Sequence, residues 1–250
     1  MIRLNRYIAE SGYCSRRKAD ELIKDGRVRV NSGVVRELGL KVDPEKDIVE
    51  VEGKQIKPFK RVVYIRLYKP RGYLTALGKD KFGKKTLTDL FREINLREKV
   101  FPAGRLDFDS EGLLILTNDG NFAHRLTHPR FKVDKVYHLK VDRVIDQETL
   151  EKMREGIELE DGFFKLDSIR IMKVEKDFTW VEAVIHSGKK RILRRFFKAF
   201  NHTVLRLVRV KIGDISVKGL RPGEYSYIPQ SQIDRLLKKE GEDEKRDSFK

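Results

Sequence analysis

Gly104-Arg105-Leu106-Asp107-Phe108-Asp109-Ser110-Glu111-Gly112-Leu113-Leu114-Ile115-Leu116-Thr117-Asn118-Asp119-Gly120 reads GRLDFDSEGLLILTNDG, and the reading of the whole chain turns on it. Its second half is a short, unbroken apolar run closed by an Asn-Asp-Gly turn, the pattern of a buried strand. Its first half places three carboxylates, Asp107, Asp109 and Glu111, at alternate positions. In an extended segment Asp107 and Asp109 share a face at roughly 7 Å, which a two-carboxylate acid/base site allows. Asp109-Ser110-Glu111-Gly112 reads instead as a turn, which scatters these side chains. Near basic residues an aspartate stays ionised, which suits a nucleophile or a base better than a proton donor. On the residues alone, a structural Asp107 and a catalytic one are equally open.

Outward from this stretch the pattern from about Arg61 is rich in strands. VVYIRLY stops at Lys69-Pro70-Arg71-Gly72, and VYHLKV, FFKLDSIRIMKV, WVEAVI and VLRLVRVKIG supply further strands. QETLEKMRE and ILRRFFKAF read as helices, and Asn121 is placed to cap a short one, FAHRLT, before Pro129. Towards the amino terminus, LNRYIAESG is a short amphipathic helix. Ser15 caps a second, RRKADELIKD, that Gly26 closes. RVRV, the NSG turn and DIVEVEG read as short strands, and KQIKPFKR with Pro58 as a linker. The division expected is a helix-strand module over 1–58, a larger domain over 61–238 and a disordered charged tail over 239–250, α+β in class.

The chain of 250 residues carries a net charge of +16, which calls for a polyanionic partner. From His186 to Arg221 eleven Lys or Arg meet one acid, Asp214, and residues 59–99 hold twelve basic against four acidic. In the helix from Arg191, apolar Ile192, Leu193, Phe196, Phe197 and Phe200 fill one side, and Arg191, Arg194, Arg195 and Lys198 the other. Like charges this dense repel unless an anion arrives, which favours a nucleic-acid surface over a merely solvated face. No apolar run approaches the roughly 20 residues of a spanning helix, so no membrane partner is expected. One cysteine, Cys14, excludes an intrachain disulfide, and five histidines without a ligand pattern make a metal site improbable. These features suit the reducing cytoplasm.

The residues also resemble a family. GRLDFDSEGLLILTNDG resembles the GRLDxxTxGLLLLTNDG signature of ribosomal RNA pseudouridine synthases of the RsuA type. In order along the chain, KPRG at 69–72 is similar to that family's KPxG turn, and DKVYHLKV at 134–141 to its K-x-Y strand. SGKKRILRRFFKAFNHTVLRLVRVKIGDISVKGLRPGEY at 187–225 is similar to its terminal block. SRRKADELIKDGRVRVN at 15–31 resembles the small αL-type RNA-binding domain of a ribosomal protein and of tyrosyl-tRNA synthetases. Ser110 stands for the usual Thr, and Ser187, Lys190, Ile192 and Asn201 for Glu, Asn, Gln and Gly.

The resemblance implies a bacterial isomerase that turns a uridine of ribosomal RNA into pseudouridine without metal or organic cofactor. The catalytic domain it implies is a largely antiparallel mixed sheet behind a small RNA-binding module. Asp107 matches the essential aspartate, Tyr137 the tyrosine that stacks on the target base, and Arg194 the basic residue that pairs with the aspartate. Leu207 walls the uracil pocket, and Arg105 is read evenly as a structural ion-pair partner or as a hand on the target phosphate. Phosphate contacts are expected from Arg3, Arg6, Arg16, Arg17 and Lys24 in the module. In the larger domain they are expected from Lys69, Arg71, Lys189, Lys190, Arg191, Arg195 and Lys198. Asp109 and Glu111 are read as solvated, and the histidines and Cys14 as structural. The partner expected is ribosomal RNA, free or in a pre-ribosomal particle, with large-subunit RNA ahead of small-subunit RNA, and a monomeric enzyme. An assembly factor that only binds RNA is the competing class. It has no use for an aspartate in a cleft that attracts phosphate. A nucleoside hydrolase working through Asp107 and Asp109 is a third, and the extended basic surface does not suggest one.

Overall fold

The computed structural model describes residues 1–59 and 61–237, so the expected tail over 239–250 lies outside the described residues. The chain forms two compact units, Met1–Val63 with Asn118–Gly120, and Tyr64–Thr117 with the chain from Asn121 on.

The first unit opens with β1 (Ile2–Arg3), α1 (Leu4–Glu10) and α2 (Arg16–Lys24). Ser15 Oγ accepts the Lys18 amide at 3.3 Å and so caps α2, and Gly26 ends it at φ 71°. The strands β2 (Val28–Val30), β3 (Gly33–Val35), β4 (Lys41–Val42), β5 (Val49–Val51) and β6 (Lys54–Ile56) follow. β3-β2-β5-β6 is an antiparallel sheet, and β1 pairs with β4. Asn31 and Ser32, both at positive φ, turn β2 into β3. Leu4, Tyr7, Ile8, Ala19, Leu22 and Ile23 close with Val28, Val49 and Val51 into a core. The expected linker at 54–61 is shorter than its sequence implies, because its first three residues form β6, hydrogen-bonded to β5.

The second unit contains β7 (Tyr64–Lys69), α3 (Leu87–Glu93), β8 (Phe101–Ala103), β9 (Glu111–Thr117), α4 (Gly120–Thr127) and β10 (Lys135–Asp142). After these come α5 (Gln147–Glu155), β11 (Ile157–Leu159), β12 (Gly162–Phe164), β13 (Ser168–Glu175), β14 (Phe178–Ile185) and α6 (Ile192–Ala199). β15 (Val204–Ile212), β16 (Ile215–Ser216) and β17 (Tyr225–Tyr227) complete the elements. A nine-stranded sheet runs β13-β14-β10-β15-β9-β7-β17, with β16 on β15 and β8 on β9. Among the described residues, β9 with β15 is the one parallel pairing of this sheet, through Val208↔Glu111 and Arg209↔Gly112. All seven residues of β9 are buried, as expected of a central strand covered on both faces. Gly112 sits at φ 105°, and a Cβ there would overlap the backbone carbonyl of Arg209. The close β9–β15 approach therefore requires glycine.

Two local expectations change. α4 starts at Gly120, so Asn121 lies inside its first turn rather than capping it. FFKLDSIRIMKV is two strands, since Gly162–Phe164 pairs with β11 while the chain from Ser168 pairs with β14.

Candidate active site

Asp107 lies on the loop from β8 to β9, and this loop is held by the segment that follows β7. Lys69, the last residue of β7, is fully buried. Its Nζ donates to the carbonyls of Pro70 at 3.0 Å, Asp107 at 3.3 Å and Ser110 at 2.9 Å. The Gly72 amide donates to Phe108 O, the Thr75 hydroxyl to Leu106 O, and the Leu106 amide back to Thr75 Oγ1. The KPRG turn is thus the mount of the aspartate loop. Lys69 was expected at the phosphates; burial at the end of a central strand removes it from any RNA surface. Burial also pulls its ammonium down to about 8, against the raising influence of Asp107 and Asp109.

The three carboxylates have three different environments. Asp107 is half-buried, lines a cleft of about 670 Å³, and its carboxylate has no hydrogen-bond or ion-pair partner among the described residues. Asp109 receives Arg191 at 3.0 and 3.1 Å and Arg194 at 3.2 Å. Burial works against its ionised form, yet the Arg191 hydrogen bonds and the Arg194 charge prevail and hold it below the usual carboxylate range. Glu111 is buried, accepts Arg206 at 2.7 and 3.2 Å, and accepts the Tyr68 hydroxyl at 3.2 Å. Asp109, though partly exposed, and Glu111 are both paired rather than left to solvent, because the basic strand and helix beside them supply partners that the linear sequence does not show. With both engaged, the two-carboxylate arrangement does not form. One aspartate is left free.

Arg105, Asp107, Tyr137, Arg194 and Leu207 all line this cleft, together with Lys189, Lys190 and Arg191. Arg194 comes from α6, whose buried Ile192, Leu193, Phe196 and Phe197 each contribute about 2 kcal/mol and fix the helix on the sheet. Its guanidinium donates to Val204 O at 2.8 Å and to Asp109 O at 3.1 Å, and its ion pair is with Asp109 rather than Asp107. It sits one carboxylate away from the partner expected, because the turn at Phe108-Asp109, closed by the Ser110 amide on the Asp107 carbonyl, carries the Asp109 side chain to Arg191 and Arg194. Burial lowers the Arg194 pKa, while Asp107 still acts on it through space.

Tyr137 is buried on β10, opposite Arg209 of β15 in the ladder, where the register slips between Val136 and Tyr137. Arg209 is itself buried; Nε donates to Leu113 O at 2.8 Å and Nη1 lies 3.5 Å from the Tyr137 hydroxyl. Lys135 also lines the cleft, donates to the carbonyls of Val133 and His186 at 3.0 Å, and is lowered to about 8 by burial and then by Arg209. Sequence reasoning missed both Arg209 and Lys135 as cleft residues. The signal for Arg209 was present, since strand alternation puts it on the face of Leu207, two residues earlier.

The remaining basic positions divide. Arg3, Arg16, Arg17, Lys24, Arg71 and Lys198 are exposed. Arg6 is paired with Glu10 at 2.6 Å and Arg195 with Asp161 at 2.6 Å. Three of the histidines have partners within the fold: His138 meets Glu182, His186 meets Asp167, and His202 meets the Asp142 carbonyl. Among the described residues no helix is long and apolar enough to cross a membrane.

Cleft walls of this charge suit a polyanion, and a carboxylate left unpaired among them is available for chemistry on one, the combination that an RNA-directed enzyme needs. The chain belongs to the RNA pseudouridylate synthase family: the family model matches residues 63–199, and an S4 domain model matches residues 2–49. It is 50% identical over 240 residues to a protein of Aquifex aeolicus described as an uncharacterized RNA pseudouridine synthase, covering 96% of this chain and 95% of that one. It is 41% identical to the ribosomal large subunit pseudouridine synthase B of Bacillus subtilis, covering 94% and 96%. A crystal structure of a pseudouridylate synthase superposes with a TM-score of 0.64 at 26% identity, covering 94% of this chain and all of that one. The chain is therefore an RNA pseudouridine synthase with an S4 module and a mixed-sheet catalytic unit.

Proposed function

We propose that this enzyme isomerises a uridine of ribosomal RNA, from the large subunit, with Asp107 as the catalytic carboxylate and no cofactor. The observation that carries the reading is the Asp107 side chain, half-buried and unpartnered in the cleft while its own loop is tied down on several sides. In the isomerisation the C1′–N1 bond breaks, the uracil turns, and a C1′–C5 bond forms; the C5 proton leaves and N1 gains one. Attack on the sugar, attack on the base and removal of a sugar proton all need an unpaired anion at the reacting nucleotide. Asp109 spends its oxygens on two arginines while the Asp107 carboxylate lines the cleft with none, and that difference selects Asp107.

Tyr137 offers its ring to the displaced uracil, Leu207 closes the apolar side of the pocket, and Arg194 supplies positive charge beside the aspartate loop. Taking the nucleotide out of its stack costs a few kcal/mol, which an aromatic face offsets. Residues 1–58 hold the RNA through Arg3, Arg16, Arg17 and Lys24, and residues 61–238 carry the chemistry with Arg71, Lys189, Lys190 and Lys198 on phosphates. The reading is of a monomer acting on free ribosomal RNA or an assembling particle in the cytoplasm. Large-subunit RNA is supported by the name of the Bacillus subtilis relative.

The test is to map pseudouridines in ribosomal RNA from cells lacking the protein and then restore either the wild type or Asp107→Asn. One large-subunit site is expected to vanish and to return only with the wild type. Its return with Asp107→Asn would remove Asp107 from the mechanism, and loss at a small-subunit site would change the substrate.

A further inference from the structure

The segment Gly78-Lys79-Asp80-Lys81-Phe82-Gly83-Lys84-Lys85 is not used by the chemistry described above, yet it is built with care. Phe82 is 87% exposed, so it forgoes the burial through which a phenylalanine ordinarily contributes to stability. The tip is nonetheless fixed: Asp80 Oδ2 accepts the Phe82 amide at 2.9 Å and the Lys84 amide at 3.2 Å. The neck is closed by the Gly78 amide on Thr88 Oγ1 at 2.7 Å and by the Thr86 hydroxyl on the Gly78 carbonyl at 2.8 Å. A capping box at Thr86 and Asp89 anchors that neck to α3.

Four lysines, Lys79, Lys81, Lys84 and Lys85, lie within three residues of Phe82 in the chain. Lys85 is committed to Glu93 at 2.9 Å, and the Lys84 ammonium lies 5.2 Å from the centre of the Phe108 ring. Lys79 and Lys81 are exposed and have no acidic partner among the described residues. Phe108 follows Asp107 directly and lines the cleft, so Lys84 joins the loop tip to the rim of the site. An aromatic face held in water on a fixed tip that also carries unpaired cations is the combination that binds unstacked nucleotides, with the ring taking a base and the ammonium groups taking phosphates.

We infer that Phe82 is a stacking platform for an unpaired base next to the target uridine, with Lys79 and Lys81 on the adjoining phosphates. The inference rests on the reading that the cleft takes an RNA strand, and it adds a second nucleotide site outside that cleft. The experiment measures binding of the full chain to a short fluorescein-labelled single-stranded oligouridylate by anisotropy, at several salt concentrations. Phe82→Ala is expected to weaken binding about ten-fold, Phe82→Leu to weaken it equally, and Phe82→Trp to keep or improve it, because stacking needs a π face. Lys79→Ala with Lys81→Ala is expected to reduce the slope of log K against log salt by about 1.4, the contribution of two single-strand phosphates.

Wild-type affinity in Phe82→Ala or in Phe82→Leu would overturn the inference, the former leaving the tip as a protein contact. So would an unchanged salt slope in the double lysine variant. Isomerisation is scored separately, by tritium release from 5-tritiated large-subunit RNA. Release by the wild type with undiminished binding by Phe82→Ala refutes the platform alone. No release, with the Phe82 losses as expected, refutes the substrate and supports the platform.

Discussion

Replacing Lys69 with methionine separates two effects that this buried amine combines. The ammonium ordinarily titrates at 10.5 and is lowered by burial to about 8. Between those values the unfolded chain holds a proton that the folded chain has released, so the wild type gains stability as pH rises through that window. At about 1.4 kcal/mol per pH unit the gain is about 3 kcal/mol, and it needs no discount for solvent because Lys69 is fully buried. Against this stand its hydrogen bonds to the carbonyls of Pro70, Asp107 and Ser110; the neutral amine has two N–H groups and so keeps two of the three, at about 1 kcal/mol each. Methionine keeps the stem and loses both effects. At neutral pH they nearly cancel, so Lys69→Met is expected to lie within about 1 kcal/mol of the wild type there, and to be less stable by about 2 kcal/mol near pH 10.5. Trp180, the only tryptophan, lies on β14 and reports the unfolding of the catalytic unit. Urea titrations followed by its fluorescence across the alkaline range measure the difference directly. Tritium release at neutral pH should nonetheless fall by about two orders of magnitude, because a loop freed by an ångström misplaces the Asp107 carboxylate. A stability difference that does not change with pH would refute the argument from burial. Full activity would refute the role of Lys69 as the mount of the loop.

Gly112→Ala should destabilise the catalytic unit by more than about 3 kcal/mol, since both its φ of 105° and the Arg209 backbone oppose a side chain; Trp180 unfolding would show it. Asp109→Asn should cut isomerisation more than RNA affinity, because Arg191 and Arg194 lose the carboxylate that orients them, and steady-state kinetics would show the fall in kcat. The folded-state value of Asp109 lies below the ordinary one, so its contribution to stability is present at neutral pH and lost as the solution is acidified through that lowered value; the Asn variant should lack this loss in an acid titration of the catalytic unit. Arg16→Glu, Arg17→Glu and Lys24→Glu together should weaken binding of large-subunit RNA and flatten its salt dependence, and leave turnover at saturating RNA nearly unchanged. An equal loss in kcat would place these residues in the chemistry instead.

Local physical chemistry was legible along much of the chain. The apolar run at 113–116 needed burial on both faces wherever it went, and became the central strand β9. Ser15 and Gly26 bounded α2 because the chain itself supplies an amide acceptor at one end and a positive φ at the other. The apolar half of α6 was equally plain in the spacing of Ile192, Leu193, Phe196 and Phe197. The family signature around Asp107 could be read for the same reason: a turn, a glycine and a buried strand in fixed order are properties of contiguous residues.

What the linear pattern could not contain was partnership across the sheet. Asp107, Asp109 and Glu111 look alike in sequence, and only the packing of α6 and β15 against β9 gives Asp109 to Arg191 and Arg194, Glu111 to Arg206, and leaves Asp107 without a partner. Lys69 has the composition of a phosphate contact and the environment of a core residue, a difference set by the carbonyls of a loop 38 to 41 residues away in sequence. Arg209 enters the cleft because β15 meets β9 in parallel and β10 in antiparallel register, placing its guanidinium between Leu113 and Tyr137. Propensity and periodicity act over a few residues. The charge of a side chain is decided by neighbours that only the folded chain brings within a few ångströms.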